Sequence, residues 1–300
     1  MQNQEIQGYN KPLKNDLEKL SAQELEPSPN NPPWNSITAF FVWLASVALI
    51  VIFPGIAVAL YIATNGIKFT DKGQLAELLK NDVNLSIVQL IAVVPAHIFT
   101  LVLCWLVVTK FNKFSFKQTL GWKFNNFKMW HAALIIILIF TLAGILTTTF
   151  GETDNELLRI LRSSRTAVLL VAFMATFTAP IVEEVVYRGV LYSALQKTFR
   201  EPKSFLFENN FWFRYIEPFL QKYPVAIAVL VVTFLFAGVH VPQYAGDFVS
   251  ISMICLLSLV LTLVRVWTNN LLPCIVLHFV FNGIQSVFLV LEPYISKNAQ

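Results

Sequence analysis

The sequence predicts an all-α fold, a polytopic transmembrane helical bundle of seven to eight spans. Of its 300 residues, 56% are hydrophobic and only 13% are charged, about half the ~25% of an ordinary soluble chain. The apolar residues come in runs of about twenty, the length a helix needs to cross hydrocarbon. A membrane barrel would instead show alternating segments of about ten residues. The 26 Phe and seven Trp suit a bilayer core and its interfaces. This composition excludes a disordered chain and argues against a soluble enzyme. A net charge of +4 is too small to point to nucleic acid, so the lipid bilayer is the first partner.

Residues 1–34 are polar, mixed in charge, and end in prolines (Pro27, Pro29, Pro32, Pro33). They lack the apolar core of a secretory signal and read as a disordered tail. Residues 35–165 hold the N-terminal transmembrane helices. The spans run from Ile37 to Ala63, with a kink expected at Pro54, from Leu85 to Val108, and from Trp130 to Phe150. A basic aromatic loop of five Lys and no acid, KFNKFSFKQTLGWKFNNFK, separates the second from the third. Residues 166–291 begin with a fourth apolar segment that continues through EEVVYRGVLYSAL at helical spacing. A long loop over roughly 197–223 follows. In it Trp212, Tyr215, Ile216 and Phe219 make an apolar stripe, expected to lie in the headgroup plane near the mouth of any cavity. The last spans run from Pro224 to His240, Phe248 to Trp267 and Leu271 to Leu291, before a short tail over 292–300. With seven spans, 15 of the 22 Lys and Arg fall on the face of the N-terminus, which the positive-inside rule places in the cytoplasm. Cys104, Cys255 and Cys274 lie inside apolar runs and read as core thiols.

Ionisable groups inside a bilayer are costly, so a chain keeps them mainly where they act. Glu183 and Glu184 follow sixteen uncharged, mostly apolar residues. Adjacent helical residues point about 100° apart. Glu184 and Arg188, at i and i+4, can therefore pair, which leaves Glu183 free as a base or a metal ligand. His278 and Asn282 also share a face. They could hold a developing oxyanion or tie two helices together. His240 closes its span and could equally be a core histidine. His97, mid-span beside Pro95, reads as an interhelical hydrogen-bonding group. His131 reads as an interface residue, and Arg265 as a side chain that snorkels to the headgroups. Depth is a difficulty. At about 1.5 Å per residue, His240 lies some 24 Å into its span and His278 only some 10 Å into its own. Tilt, an earlier helix start or a re-entrant segment could each bring them level.

Taken in order, EEVVYR (183–188), FAGVH (236–240) and HFVFN (278–282) resemble the CPBP family. These intramembrane proteases are also called Abi or CAAX-protease-like and are related to the CAAX prenyl endopeptidase. The resemblance covers roughly 167–285. It implies an endopeptidase acting on a membrane-associated peptide or protein, with Glu183 and His240 activating water. His278 and Asn282 would stabilise the oxyanion, and Glu184 and Arg188 would form a structural pair. The long loop between the first two motifs departs from the family pattern. The resemblance admits two chemistries, glutamate-type or metal-dependent. No cofactor is assigned, since Asn282 beside His278 suits an oxyanion site and Asn is a poor zinc ligand. If zinc is used, its ligands would be Glu183, His240 and His278, a His₂Glu set. The alternative function is a non-proteolytic scaffold or bacteriocin-immunity-type protein of the same fold. A transporter is disfavoured by the lack of an internal repeat.

Overall fold

The computed structural model describes residues 26–69, 71–151, 153–201 and 211–297. Helices dominate these residues, which contain no strand beyond a single Ser28–Asn31 bridge. The long helices are α1 (Ser36–Thr64), α3 (Val83–Thr109), α5 (Met129–Phe150), α7 (Arg165–Arg200), α10 (Phe248–Thr268) and α11 (Leu272–Lys297). Shorter ones are α2 (Lys72–Asn81), α4 (Phe116–Leu120), α6 (Glu156–Ser163), α8 (Phe211–Lys222) and α9 (Pro224–His240). Six helices among the described residues are long and apolar enough to span. The count rises to seven if the bent pair of α8 and α9 is taken as one span. Their exposed Phe, Ile, Leu and Val side chains make the lipid-facing belt. Helix α11 runs to Lys297, past the boundary at 291 expected from hydropathy.

Caps set where the helices begin. Asn35 accepts from Thr38 N at 2.8 Å and Asp82 from Leu85 N at 3.0 Å, each satisfying a donor that the first turn leaves unpaired. Two apolar clusters result. One packs α1, α3, α7 and α9 around Tyr187, Leu191, Tyr192 and Phe236. The other joins α5, α10 and α11 through Ile136, Leu261, Leu277 and Phe281.

The expected disordered tail over 1–34 is corrected at its C-terminal end, while residues 1–25 lie outside the described residues. Residues 26–34 pack across the helix ends, with Pro27, Pro32 and Trp34 buried. Trp34 Nε1 donates to Val190 O at 3.0 Å and Lys197 Nζ to Pro32 O at 3.0 Å. Prolines that look like disorder in composition here stiffen a segment that turns at Ser28–Asn31, and Trp34 supplies the apolar anchor. Arg265 is corrected for the same reason. It does not snorkel but is 1% exposed. It donates to Pro29 O (2.7 Å), Ser193 Oγ (3.1 Å) and Asn269 Oδ1 (3.2 Å), because this segment closes over the end of α10.

Helix α8 meets α9 at 93°. Its Tyr215, Ile216 and Phe219 side chains are exposed, the arrangement expected of a segment lying along a bilayer surface. The side chain of Trp212 lies outside the described residues.

Between α9 and α10, Asp247 caps α10 and fastens the loop that follows His240. It accepts from Ser250 N (3.0 Å), Ser250 Oγ (2.7 Å) and Asn155 Nδ2 (2.9 Å). Burial alone would raise its carboxyl, but these hydrogen bonds outweigh it and hold it below the ordinary carboxylate value. A lowered folded-state value means that its stabilisation is complete above the unfolded-state value and is lost as pH falls through the folded one. The melting temperature of wild type in detergent should therefore exceed that of Asp247→Asn above about pH 4, with the gap closing as pH drops further. A gap independent of pH would refute this.

Candidate functional site

The site is built on a helix that is not a regular α-helix. Helix α7 contains two π-helical stretches, Met174–Thr178 and Glu184–Leu191. Pro180 helps explain the first. Ala179 N–H bonds back to Met174 O. The next donor that could serve Ala175 O belongs to Pro180, which has none. The carbonyl so orphaned is taken by a side chain from α11, Asn282 Nδ2, at 2.8 Å. Such π turns commonly accompany functional sites.

Glu183 sits directly between the two stretches. Its Oε1 lies 4.0 Å from His240 Nε2 and its Oε2 lies 3.7 Å from His278 Nε2. Both separations are too long for direct hydrogen bonds and short enough for the groups to share one water. Each histidine is fixed by its other nitrogen. His240 Nδ1 meets Phe236 O at 2.7 Å. A carbonyl only accepts, so this nitrogen carries the proton and Nε2 faces Glu183. His278 Nδ1 meets Glu184 Oε1 at 2.9 Å, and its Nε2 likewise faces Glu183. The Glu183 side chain is 23% exposed and that of His278 2%, so a partly exposed carboxylate has a buried histidine beside it.

Glu184 and Arg188 form a fully buried pair at 2.9 Å. Arg188 also donates through Nε to Thr262 Oγ1 (3.2 Å) and through Nη2 to Ser258 O (2.9 Å) and Oγ (2.7 Å). Its guanidinium lies 4.6 Å from the Phe236 ring centroid. Glu184 thus joins Arg188 on its own helix to His278 on α11.

The recessed start of α11 accounts for the depth difficulty. Leu271 N donates to Leu120 O (3.1 Å) and Gly121 O (2.8 Å), so the 120–121 turn reaches down to meet the helix. Gly121 has φ +77, and a Cβ there would lie 2.9 Å from Asn270 Cα, so only glycine permits the approach. Gly189 packs against Leu271 and Leu120, which sets the level of Leu271 on α7. From Gly189 to Arg200, α7 continues for about 16 Å, and from Leu272 to His278 is about a further 9 Å. Measured from the same face, His278 and His240 both lie roughly 25 Å deep, level with Glu183.

All six residues singled out in the sequence lie in this region. Asn282 does so with its amide engaged by Ala175 O, a contact that the sequence pattern did not show. His97, read as an interhelical hydrogen-bonding group, pairs through Nδ1 with Thr178 Oγ1 at 2.9 Å; the contact that was missed is Trp43 Nε1, which donates to Tyr187 Oη at 3.1 Å. Glu183, His240 and His278 include the donor types of a zinc hydrolase. Among the described residues, however, no three His, Cys, Asp or Glu side chains sit together in an arrangement able to hold a metal ion.

The fold and site define a polytopic helical membrane protein with a buried carboxylate–histidine centre. Residues 165–284, which contain that centre, match the family model "Type II CAAX prenyl endopeptidase Rce1-like". Through this segment the chain is similar to the CPBP or CAAX-protease-like family. No curated protein and no solved structure matches the chain.

Proposed function

We propose that the protein is an intramembrane endopeptidase that hydrolyses a peptide bond of a membrane-associated protein or peptide. The observation that carries this reading is the convergence of two histidine Nε2 atoms on Glu183, each ring held by its Nδ1. A water between Glu183 and His240 gives one proton to the carboxylate while its other hydrogen is accepted by His240 Nε2. Its oxygen attacks the scissile carbonyl. A general base so placed contributes about 10²–10⁴-fold. The developing oxyanion is met by His278, whose imidazolium form donates from Nε2 while Glu184 holds Nδ1–H, and by the second amide hydrogen of Asn282. Donors fixed before the reaction cost no reorganisation during it. Protonated Glu183 then gives its proton to the leaving amine, which restores the carboxylate. The Lys and Arg bias supports a cytoplasmic N-terminus.

The test compares membranes of cells carrying wild type or Glu183→Ala by quantitative proteomics. One or more membrane-associated precursors should accumulate uncut in the variant and disappear when wild type is restored. Identical membrane proteomes would overturn the reading.

A further inference from the structure

The half of the chain before Arg165 lies outside the segment that carries the family match, yet one of its polar contacts with the catalytic helix falls at the first π-helical stretch. His97, on α3, is 6% exposed. Its Nδ1 lies 2.9 Å from Thr178 Oγ1, the last residue of the first π-helical stretch and five positions before Glu183. Thr178 Oγ1 also lies 3.3 Å from Met174 O.

That stretch is a joint. The helix's own ladder leaves Ala175 O unpaired, for the reason given above, so the path of the helix here is not fixed by its backbone alone. Side chains from both flanking helices supply the missing ties. From α11 come Asn282 Nδ2 to Ala175 O at 2.8 Å and Ser286 Oγ, 2.9 Å from Thr176 Oγ1 and 3.3 Å from Ala172 O. From α3 comes His97. We propose that His97 is a positioning residue for the peptidase reaction. Its contact with Thr178 sets the angle at which α7 leaves the π-helical joint, and hence where the Glu183 carboxylate lies against His240 and His278. This rests on the proposed reading of Glu183 as the base.

The magnitude follows from the lever. Thr178 and Glu183 are about 7.5 Å apart along the axis. A rotation of about 10° at the joint moves the carboxylate by about 1 Å, a misplacement that can cost about 10²-fold in rate. The effect should fall on kcat, because neither His97 nor Thr178 need touch substrate for it.

The experiment uses the full chain in proteoliposomes and a quenched fluorescent peptide with a farnesylated CAAX end. Variants are compared at equal amounts of monodisperse protein. His97→Leu should lower kcat by about 10–100-fold with KM unchanged. His97→Asn, whose amide can occupy the place of Nδ1, should stay within about threefold of wild type. Thr178→Val should match His97→Leu, and the double substitution should lose no more than either alone, as coupled partners do. His97→Leu with wild-type kcat, His97→Asn as poor as Leu, or fully additive losses would overturn the inference. Glu183→Gln is the control for the underlying reading. If it is inert while His97→Leu is normal, only the inference falls. If it turns over like wild type, the reading falls and takes the inference with it.

Discussion

Glu183→Gln should abolish peptide hydrolysis, by about 10²–10⁴-fold or more, while leaving the amount and melting temperature of the folded protein unchanged. Among the described residues the side chain makes no hydrogen bond, only the 3.7 and 4.0 Å approaches to the two histidines, and it is 23% exposed. Glutamine keeps its shape, so little packing is lost. What disappears is the acceptor for the proton of the attacking water. The measurement is turnover in proteoliposomes beside thermal unfolding of the same preparation. Loss of both together would make Glu183 a structural group. Unchanged cleavage of a membrane precursor in the variant would favour a scaffold that keeps the fold without the chemistry.

Much of this centre was legible in the sequence because a charge inside an apolar run is expensive and therefore informative. Glu183, Glu184, Arg188 and His278 stand out on that ground alone. The i, i+4 spacing assigns Glu184, not Glu183, to Arg188, as the 2.9 Å contact shows. The contacts that fix the site's geometry were not legible, for two reasons. One is that backbone departures carry little signature. Pro180 marks a place where a donor is missing, but not which carbonyl is orphaned or that Asn282 fills it. The other is that depth depends on tertiary packing. Residues 26–34 and the 120–121 turn fold over the bundle, recess α11 and bury Arg265. Hydropathy treats each helix as starting at the surface, and so it put His278 too shallow and Arg265 too close to water.

Arg188→Ala should have the opposite signature to Glu183→Gln, with folded protein largely lost. Arg188 is fully buried and ties three helices together. It pairs with Glu184 on α7, donates to Ser258 and Thr262 on α10, and through Glu184 supports His278 on α11. Removing one member of a buried ion pair costs about 3–5 kcal/mol, because the other charge is left uncompensated. Against a total stability of about 5–15 kcal/mol, that is enough to deplete the folded population. Glu184 is poorly placed to absorb the change, since its Oε2 is buried without a hydrogen-bond partner and both of its contacts run through Oε1. Replacing the pair together separates folding from chemistry. Apolar substitutes for a buried pair are often neutral or stabilising. Glu184→Leu with Arg188→Met should therefore recover folded protein relative to Arg188→Ala. It should not recover turnover, because His278 Nδ1 has then lost the carboxylate that orients the ring. Size-exclusion yield and unfolding temperature read the first effect, and peptide cleavage the second. Normal abundance for Arg188→Ala, together with depleted protein for Glu183→Gln, would mean that the roles of the two glutamates are exchanged. Full activity in the double variant would show that His278 needs no carboxylate behind it.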